Sequence, residues 1–204
     1  MLFLDELTEF DRKTLEVLRE PLETGQIHIS RAARQATFPA AFQLVAAMNP
    51  CPGGCETIES CDCSHEQLSR YRNKLSAPLL DRIDIQIELP RLARDELLQQ
   101  KICQQTASET VRARVSAARQ RQIQRQGCLN AQMNNRQIEQ ICQLDQASQQ
   151  LLMRAIDKLK LSTRSYHRLL KLARSIADLA EQDSINASCV SEAISYRRWG
   201  SAPG

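Results

Sequence analysis

Met1-Leu2-Phe3-Leu4-Asp5-Glu6-Leu7 opens the chain with a short apolar run that ends abruptly in two adjacent carboxylates. An apolar run of this length with a polar break after it suits a buried strand of the parallel type. In an open α/β sheet the carboxyl ends of such strands face the ligand crevice. Asp5 and Glu6 would then lie where a nucleotide's phosphates and magnesium can bind. One carboxylate would hold the metal through water and the other would orient or deprotonate an attacking water. A buried strand that merely ends in an acidic turn has the same local pattern, so the rest of the chain must decide.

Working outward, Thr8 is a candidate N-cap for a helix to about Glu20, with Phe10, Thr14, Val17 and Leu18 on one face and Pro21 stopping it. Residues 26–30 alternate apolar and polar, as do 34–38 more loosely. This predicts a β-hairpin whose basic tip projects Arg31 and Arg34, either as an ordinary exposed hairpin or toward a phosphate backbone. Residues 41–48 read as a second buried strand ending at Asn49-Pro50. A buried amide there needs partners. Beside the first strand Asn49 could bond a γ-phosphate or its attacking water, whereas in isolation it reads equally well as a turn former. Ser64 and Gln67 predict a capping box for a helix through about Leu75. Arg82 stands between Asp81 and Asp84, either as a structural ion pair or as a planar bidentate donor for a phosphate. Residues 85–89 alternate like a strand, and Pro90 closes it.

The chain has 204 residues, 42% hydrophobic and 25% charged, enough for an ordinary core in one or two domains. Aromatic residues are only 4%, so that core must be mainly aliphatic. A net charge of +3 is too small to demand a polyanionic partner on its own. No apolar run approaches the roughly 18 residues of a membrane span, and residues 1–4 are too short for a signal core, so the expected location is cytoplasmic.

Four of the eight cysteines crowd into thirteen residues, Cys51, Cys55, Cys61 and Cys63, with His65 just beyond. In a chain without a secretion signal this favours metal or reduced thiols over disulfides. Four thiols and an imidazole this close could form a closed, structural zinc site. Their spacings depart from the common pairs, and a reduced Gly/Pro-rich loop is the alternative. Cys103, Cys128, Cys142 and Cys189 sit in helical-looking sequence and read as small buried hydrophobes.

After Pro90 nearly everything to Arg198 reads as helix, which places a domain boundary there: 1–90 and 91–204. A long polar helix over 106–126, ending at Gly127, carries Arg112, Arg114, Arg119, Arg121 and Arg125. Being polar almost all round, it reads as a solvated arm or a nucleic-acid contact. Helices near 134–142 and 145–158 follow. Ser162 caps an amphipathic helix with Tyr166, Leu169, Leu170, Ala173, Ile176, Ala177 and Ala180 on its stripe. Arg164 points out of that stripe near the N-terminus. A last helix, 187–198, buries Val190, Ala193 and Ile194, and 200–204 reads as a tail.

The order of these pieces resembles the AAA+ ATPases of the magnesium-chelatase and minichromosome-maintenance branch. Leu-Phe-Leu-Asp-Glu-Leu, Met-Asn-Pro-Cys-Pro and Arg-Tyr-Arg-Asn-Lys-Leu-Ser-Ala-Pro-Leu-Leu-Asp-Arg-Ile-Asp are similar to the magnesium-chelatase-like ComM/YifB family, over residues 1 to about 198. The resemblance implies an α/β partial AAA+ core of parallel strands with a basic β-hairpin, followed by an all-α helical lid domain. It implies ATP and magnesium as cofactors, with Asp5 and Glu6 as the Walker B pair. Asn49 would be sensor 1, Arg82 an arginine finger reaching the neighbouring subunit, and Arg164 sensor 2 on the lid. Residues 26–38 match a hairpin that faces the central pore in related motors, and 106–126 a helical insert. The implied assembly is a hexamer that drives branch migration of DNA during natural transformation.

Two departures bear on this. No Gly-x-x-x-x-Gly-Lys-[Ser/Thr] loop exists, since none of the six glycines precedes a lysine. The expectation is therefore a C-terminal piece of a longer protein, inactive as an ATPase by itself. The family's cysteine loop begins Cys-Pro-Cys-Gly, whereas Gly53-Gly54 displaces Cys55 here. Two other functions fit the same residues. One is a chelatase subunit that uses ATP to insert magnesium into a porphyrin. The other is a non-enzymatic zinc module that binds nucleic acid through its arginine-rich helix.

Overall fold

A computed structural model of the chain describes residues 1–31, 34–55, 61–89, 107–159 and 161–197. The described residues fall into two compact units, one built on Met1–Ile83, the other on Asp84–Glu88 and the helices from Ser108 onward. The expected boundary at Pro90, Cys103, the hairpin tip at 32–33 and the tail at 200–204 lie outside the described residues. No helix among the described residues is long and apolar enough to cross a membrane.

In the first unit, β1 (Leu2–Leu4) pairs in parallel with β4 (Leu44–Ala46), in the register Leu2↔Leu44, Phe3↔Val45, Leu4↔Ala46. The second strand is shorter than the 41–48 expected, and neither strand is buried on both faces. Leu4 and Ala46 face a cluster formed by Leu7, Leu15, Leu75 and Leu79. The alternate positions Phe3 and Val45 point the other way and are exposed. Alternation is what a two-stranded sheet covered on one face produces.

The helix expected over 8–20 is instead a 3-10 turn (Leu7–Glu9), then α1 (Arg12–Val17) and α2 (Arg19–Thr24). Asp11, not Thr8, is the cap, accepting from the Thr14 amide at 3.0 Å. Thr8 is buried instead. Leu15 is the residue that α1 buries, while Val17, placed on the apolar face by periodicity, is 68% exposed. Pro21 does not stop the helix: it lies in the first turn of α2, where no backbone N–H is needed. Gly25 closes α2 at φ 69°. The hairpin forms as expected: β2 (Gln26–Arg31) runs antiparallel to β3 (Arg34–Pro39), with Arg31 opposite Arg34.

The capping box also forms. Ser64 accepts from the Gln67 amide (3.2 Å), Gln67 accepts from the Ser64 amide (2.9 Å), and α3 (His65–Arg72) follows. Ser64→Ala should lower the unfolding free energy by about 1 kcal/mol, read from the midpoint of a urea titration. A further short helix, α4 (Ala77–Leu80), is capped by Ser76, which accepts from the Leu79 amide. No strand forms at 85–89. Ile85, Ile87 and Leu89 are exposed, and the Gln86 amide donates to the Tyr196 carbonyl at 3.0 Å. Alternation without a partner strand does not make a ladder.

The second unit is helical: α5 (Ser108–Gln126), α6 (Asn135–Ile141), α7 (Gln146–Leu159), α8 (Thr163–Leu179) and α9 (Ala187–Ser195). Four of these boundaries have a local chemical cause. Asn134, Ser162 and Asn186 cap their helices, and Gly127 ends α5 at φ 75°. Leu169, Leu170, Ala173 and Ala177 of α8 form the core with Leu152, Val190 and Ala193. Burial pushes the Cys142 thiol up to about 11, so it behaves as an apolar filler.

The polar helix α5 is not a free arm. It packs on α8, burying Ala118 and Gln122. The cause is a buried polar network that periodicity does not reveal. Asp178 is 1% exposed on its side chain and receives both guanidinium nitrogens of Arg125, at 2.6 and 2.9 Å. It also receives Arg174 Nε (3.1 Å) and Asn130 Nδ2 (2.8 Å). Burial works to raise the Asp178 pKa, but Arg125, Asn130 and Arg174 outweigh it and hold the carboxyl below its ordinary value.

Candidate functional site

The carboxyl end of the β1–β4 sheet gathers three of the residues singled out from sequence. After Leu4 the ladder continues through the Ala47 amide to the Leu4 carbonyl (2.9 Å), then skips to the Leu7 amide and the Ala47 carbonyl (2.9 Å). Asp5 and Glu6 are thus looped out of the pairing, between a half-buried Leu4 and a buried Leu7. Both acids are exposed, and Asp5 Oδ1 accepts from the Glu6 amide at 2.9 Å.

Glu6 sits at φ 50°, ψ 49°, in the left-handed region, which costs a non-glycine residue on the order of 1 kcal/mol. Such outliers cluster at ligand sites. Here the strain follows from forcing two acidic residues out of a ladder that resumes at Leu7. Two adjacent, outward-facing carboxylates are hard oxygen donors of the kind that magnesium takes while keeping several waters.

Because β4 runs parallel to β1, Asn49, three residues beyond the strand, leaves the sheet at the same end. Its side chain is exposed, and its backbone carbonyl is held by the Tyr71 hydroxyl of α3 at 2.9 Å. Nothing in the local sequence marks Tyr71 as the support of Asn49, since the pairing spans twenty-two residues.

Immediately after Asn49 comes the cysteine loop. The Sγ atoms of Cys51, Cys55, Cys61 and Cys63 all lie within 4.8 Å of one another. His65 is not in that group; it opens α3 instead. Burial acts to raise the Cys51 thiol, yet the Cys55 amide and the neighbouring thiols that donate to it bring it down to about 7. The Gly53-Gly54 pair, which disturbs the family spacing, lets the chain turn back: Gly54 adopts φ 64°, and its amide bonds the Cys51 carbonyl at 3.2 Å.

Arg82, at the end of α4, is held within the first unit. Its guanidinium donates to the Pro78 carbonyl (2.6 Å) and the Arg19 carbonyl (3.2 Å) and pairs with Glu23. Glu23, one acid that pairs with it, is fifty-nine positions away in sequence. Arg164 lies in the first turn of α8, in the second unit, and is exposed. Arg31 and Arg34 are the register pair of the hairpin ladder nearest residues 32–33.

A strand ending in paired carboxylates, a parallel neighbour ending in asparagine and a separate helical unit define the class. The chain belongs to the magnesium chelatase subunit ChlI family, whose model matches residues 1–97 and whose C-terminal model matches residues 105–197.

Among curated proteins it is similar to YifB of Escherichia coli, described as uncharacterized, with 47% identity over 197 residues. It is also similar to the competence protein ComM of Haemophilus influenzae, with 46% identity over 197 residues. Both alignments cover 97% of this chain, and 39% and 38% of those relatives. An uncharacterized protein of Mycobacterium tuberculosis is 37% identical over 204 residues, 98% of this chain and 40% of that protein. The chain therefore spans about two fifths of the length of these relatives.

Proposed function

We propose that this chain is the Walker B-to-sensor 2 portion of a AAA+ ATPase that turns ATP hydrolysis into branch migration of DNA. The observation that carries the reading is the parallel β1–β4 register, which sends Asp5, Glu6 and Asn49 out of the same end of one sheet. In this reading Asp5 holds Mg2+ and Glu6 activates the water. Asn49 orients that water against the γ-phosphate. The magnesium, when bound, supplies charge stabilisation to the transferring phosphoryl group.

The first unit is then the C-terminal half of the nucleotide-binding core and the second the helical lid domain, with Arg164 as sensor 2. Arg82 acts in trans in a cytoplasmic hexamer, and the hairpin with Arg31 and Arg34 meets DNA. The similarity to a competence protein supports DNA as the partner. ATPase activity belongs to the longer protein in which such a chain stands beside a phosphate-binding loop; alone, this chain is expected to be inactive.

A second reading has its own support, since the matching family is named for magnesium chelatase. The chain would then serve a subunit that inserts magnesium into a porphyrin. The test is the ATPase rate of the full-length protein with branched DNA, and separately with porphyrin plus chelatase partners. Stimulation by branched DNA is expected. Stimulation only by porphyrin and partners rejects the DNA motor in favour of the chelatase.

A further inference from the structure

The geometry points to a structural zinc ion held by the thiolates of Cys51, Cys55, Cys61 and Cys63, which braces the segment that carries Asn49. Four sulfurs from two chain segments converge within 4.8 Å of one another, and all four are free cysteines. Tetrahedral zinc–thiolate bonds of about 2.3 Å set sulfurs about 3.8 Å apart, so only a small contraction closes the group around an ion. No oxygen or imidazole donor belongs to the set, which selects a soft, tetrahedral metal over magnesium or calcium.

The surroundings are shaped for the same purpose. A Cβ on Gly53 would lie 2.9 Å from Cys63 Sγ and 3.4 Å from Cys55 Sγ. Only glycine lets the first arm pass this close to the second. The Cys55 amide donates to Cys51 Sγ at 3.2 Å, the kind of outer hydrogen bond that orients a thiolate ligand. Cys51 is fully buried. Without an ion the four thiols can offer one another only weak S–H bonds. With zinc they lose their protons and share one divalent charge. Four protein ligands leave no open position, so the ion holds structure and activates no water.

What it holds follows from the chain. Cys51 lies two residues beyond Asn49, and Cys63 directly precedes Ser64, the cap of α3. Tyr71 of the same helix grips the Asn49 carbonyl. The zinc thus closes a short brace between the end of β4 and the start of α3, with Asn49 inside it. The metal assignment stands apart from the ATPase reading, and its test reads metal, not activity.

The chain is purified under reducing, chelator-free conditions, and its metal content is measured by mass spectrometry. About one zinc per chain is expected. A chelator should release that zinc and make four further thiols reactive to a colorimetric thiol reagent. Co2+ in its place should give the charge-transfer and ligand-field bands of a tetrahedral thiolate complex. Cys55→Ser should lose stoichiometric zinc, Gly53→Ala should bind it more weakly, and Cys128→Ser should keep it. Should Cys55→Ser fail to fold, the cobalt spectrum of the unaltered chain decides. A folded chain free of zinc and without the cobalt bands overturns the proposal. So does iron in place of zinc, or a disulfide among the four cysteines.

Discussion

Asp178→Ala should destabilise the helical unit by about 3–5 kcal/mol, because it strands a buried cation. The Arg174 side chain is 2% exposed, and its remaining partners are the carbonyls of Gln182 and Asp183, which carry no compensating charge. Arg125 and Asn130 lose the same acceptor, so the clamp of α5 on α8 loosens as well. Against a total stability of about 5–15 kcal/mol for a domain, this is enough to shift the urea midpoint far or to prevent folding.

Arg70→Ala is the control. Its ion pair with Glu66 has side chains 78% and 74% exposed, and such pairs contribute less than about 1 kcal/mol. Equal midpoints for the two variants would show that the Asp178 network carries no special weight. Acid tests the same group without mutation. The Asp178 pKa is lowered in the folded chain, so its stabilisation is present above the ordinary aspartate value. That stabilisation is lost as pH falls through the lower folded value. Asp178→Asn should flatten this part of the acid profile.

Arg82→Ala in the full-length protein should lower ATP turnover by about a thousandfold or more while leaving ATP binding intact, the signature of a finger that meets only transition-state charge. The structure adds a complication and a way round it. Arg82 also ties α4 to α2 through the Arg19 carbonyl and Glu23, so the alanine variant loses an internal brace. Arg82→Lys keeps a cation beside Glu23 but not the planar fork. Turnover should stay low in the lysine variant even where its urea midpoint recovers. Turnover within twofold of the unaltered protein in both variants would make Arg82 a structural residue and move the assignment to Arg70 or Arg72.

Local chemistry was enough wherever neighbours in sequence are also neighbours in space. The hairpin at 26–39, the caps at Ser64 and Ser162 and the αL stop at Gly127 were all legible, because each is settled within a few residues. Periodicity also identified Leu169, Leu170, Ala173 and Ala177 as core. It failed at Val17, where a six-residue helix offers too few turns for a stripe to be defined, and at 85–89, where alternation had no strand to pair with. The first turn of α2 tolerated Pro21 because the break falls before it, at Leu18.

The opening acidic strand, its asparagine-ending neighbour and the four clustered cysteines could be named from residue order alone, since each is a short local pattern. Which partners those residues take is a different matter. Glu23 for Arg82, Tyr71 for Asn49 and Arg125 for Asp178 lie between twenty-two and fifty-nine residues apart. Arg174 and Asp178, four apart on α8, were a faint sign of an ion pair. Their burial was not, because the desolvation of a charge depends on what packs over it, and α5 arrives from half a hundred residues upstream. The folded chain also reversed the meaning of Gly53-Gly54. As spacing they disrupt a cysteine pattern; in three dimensions they are the turn that brings Cys55 back to Cys51.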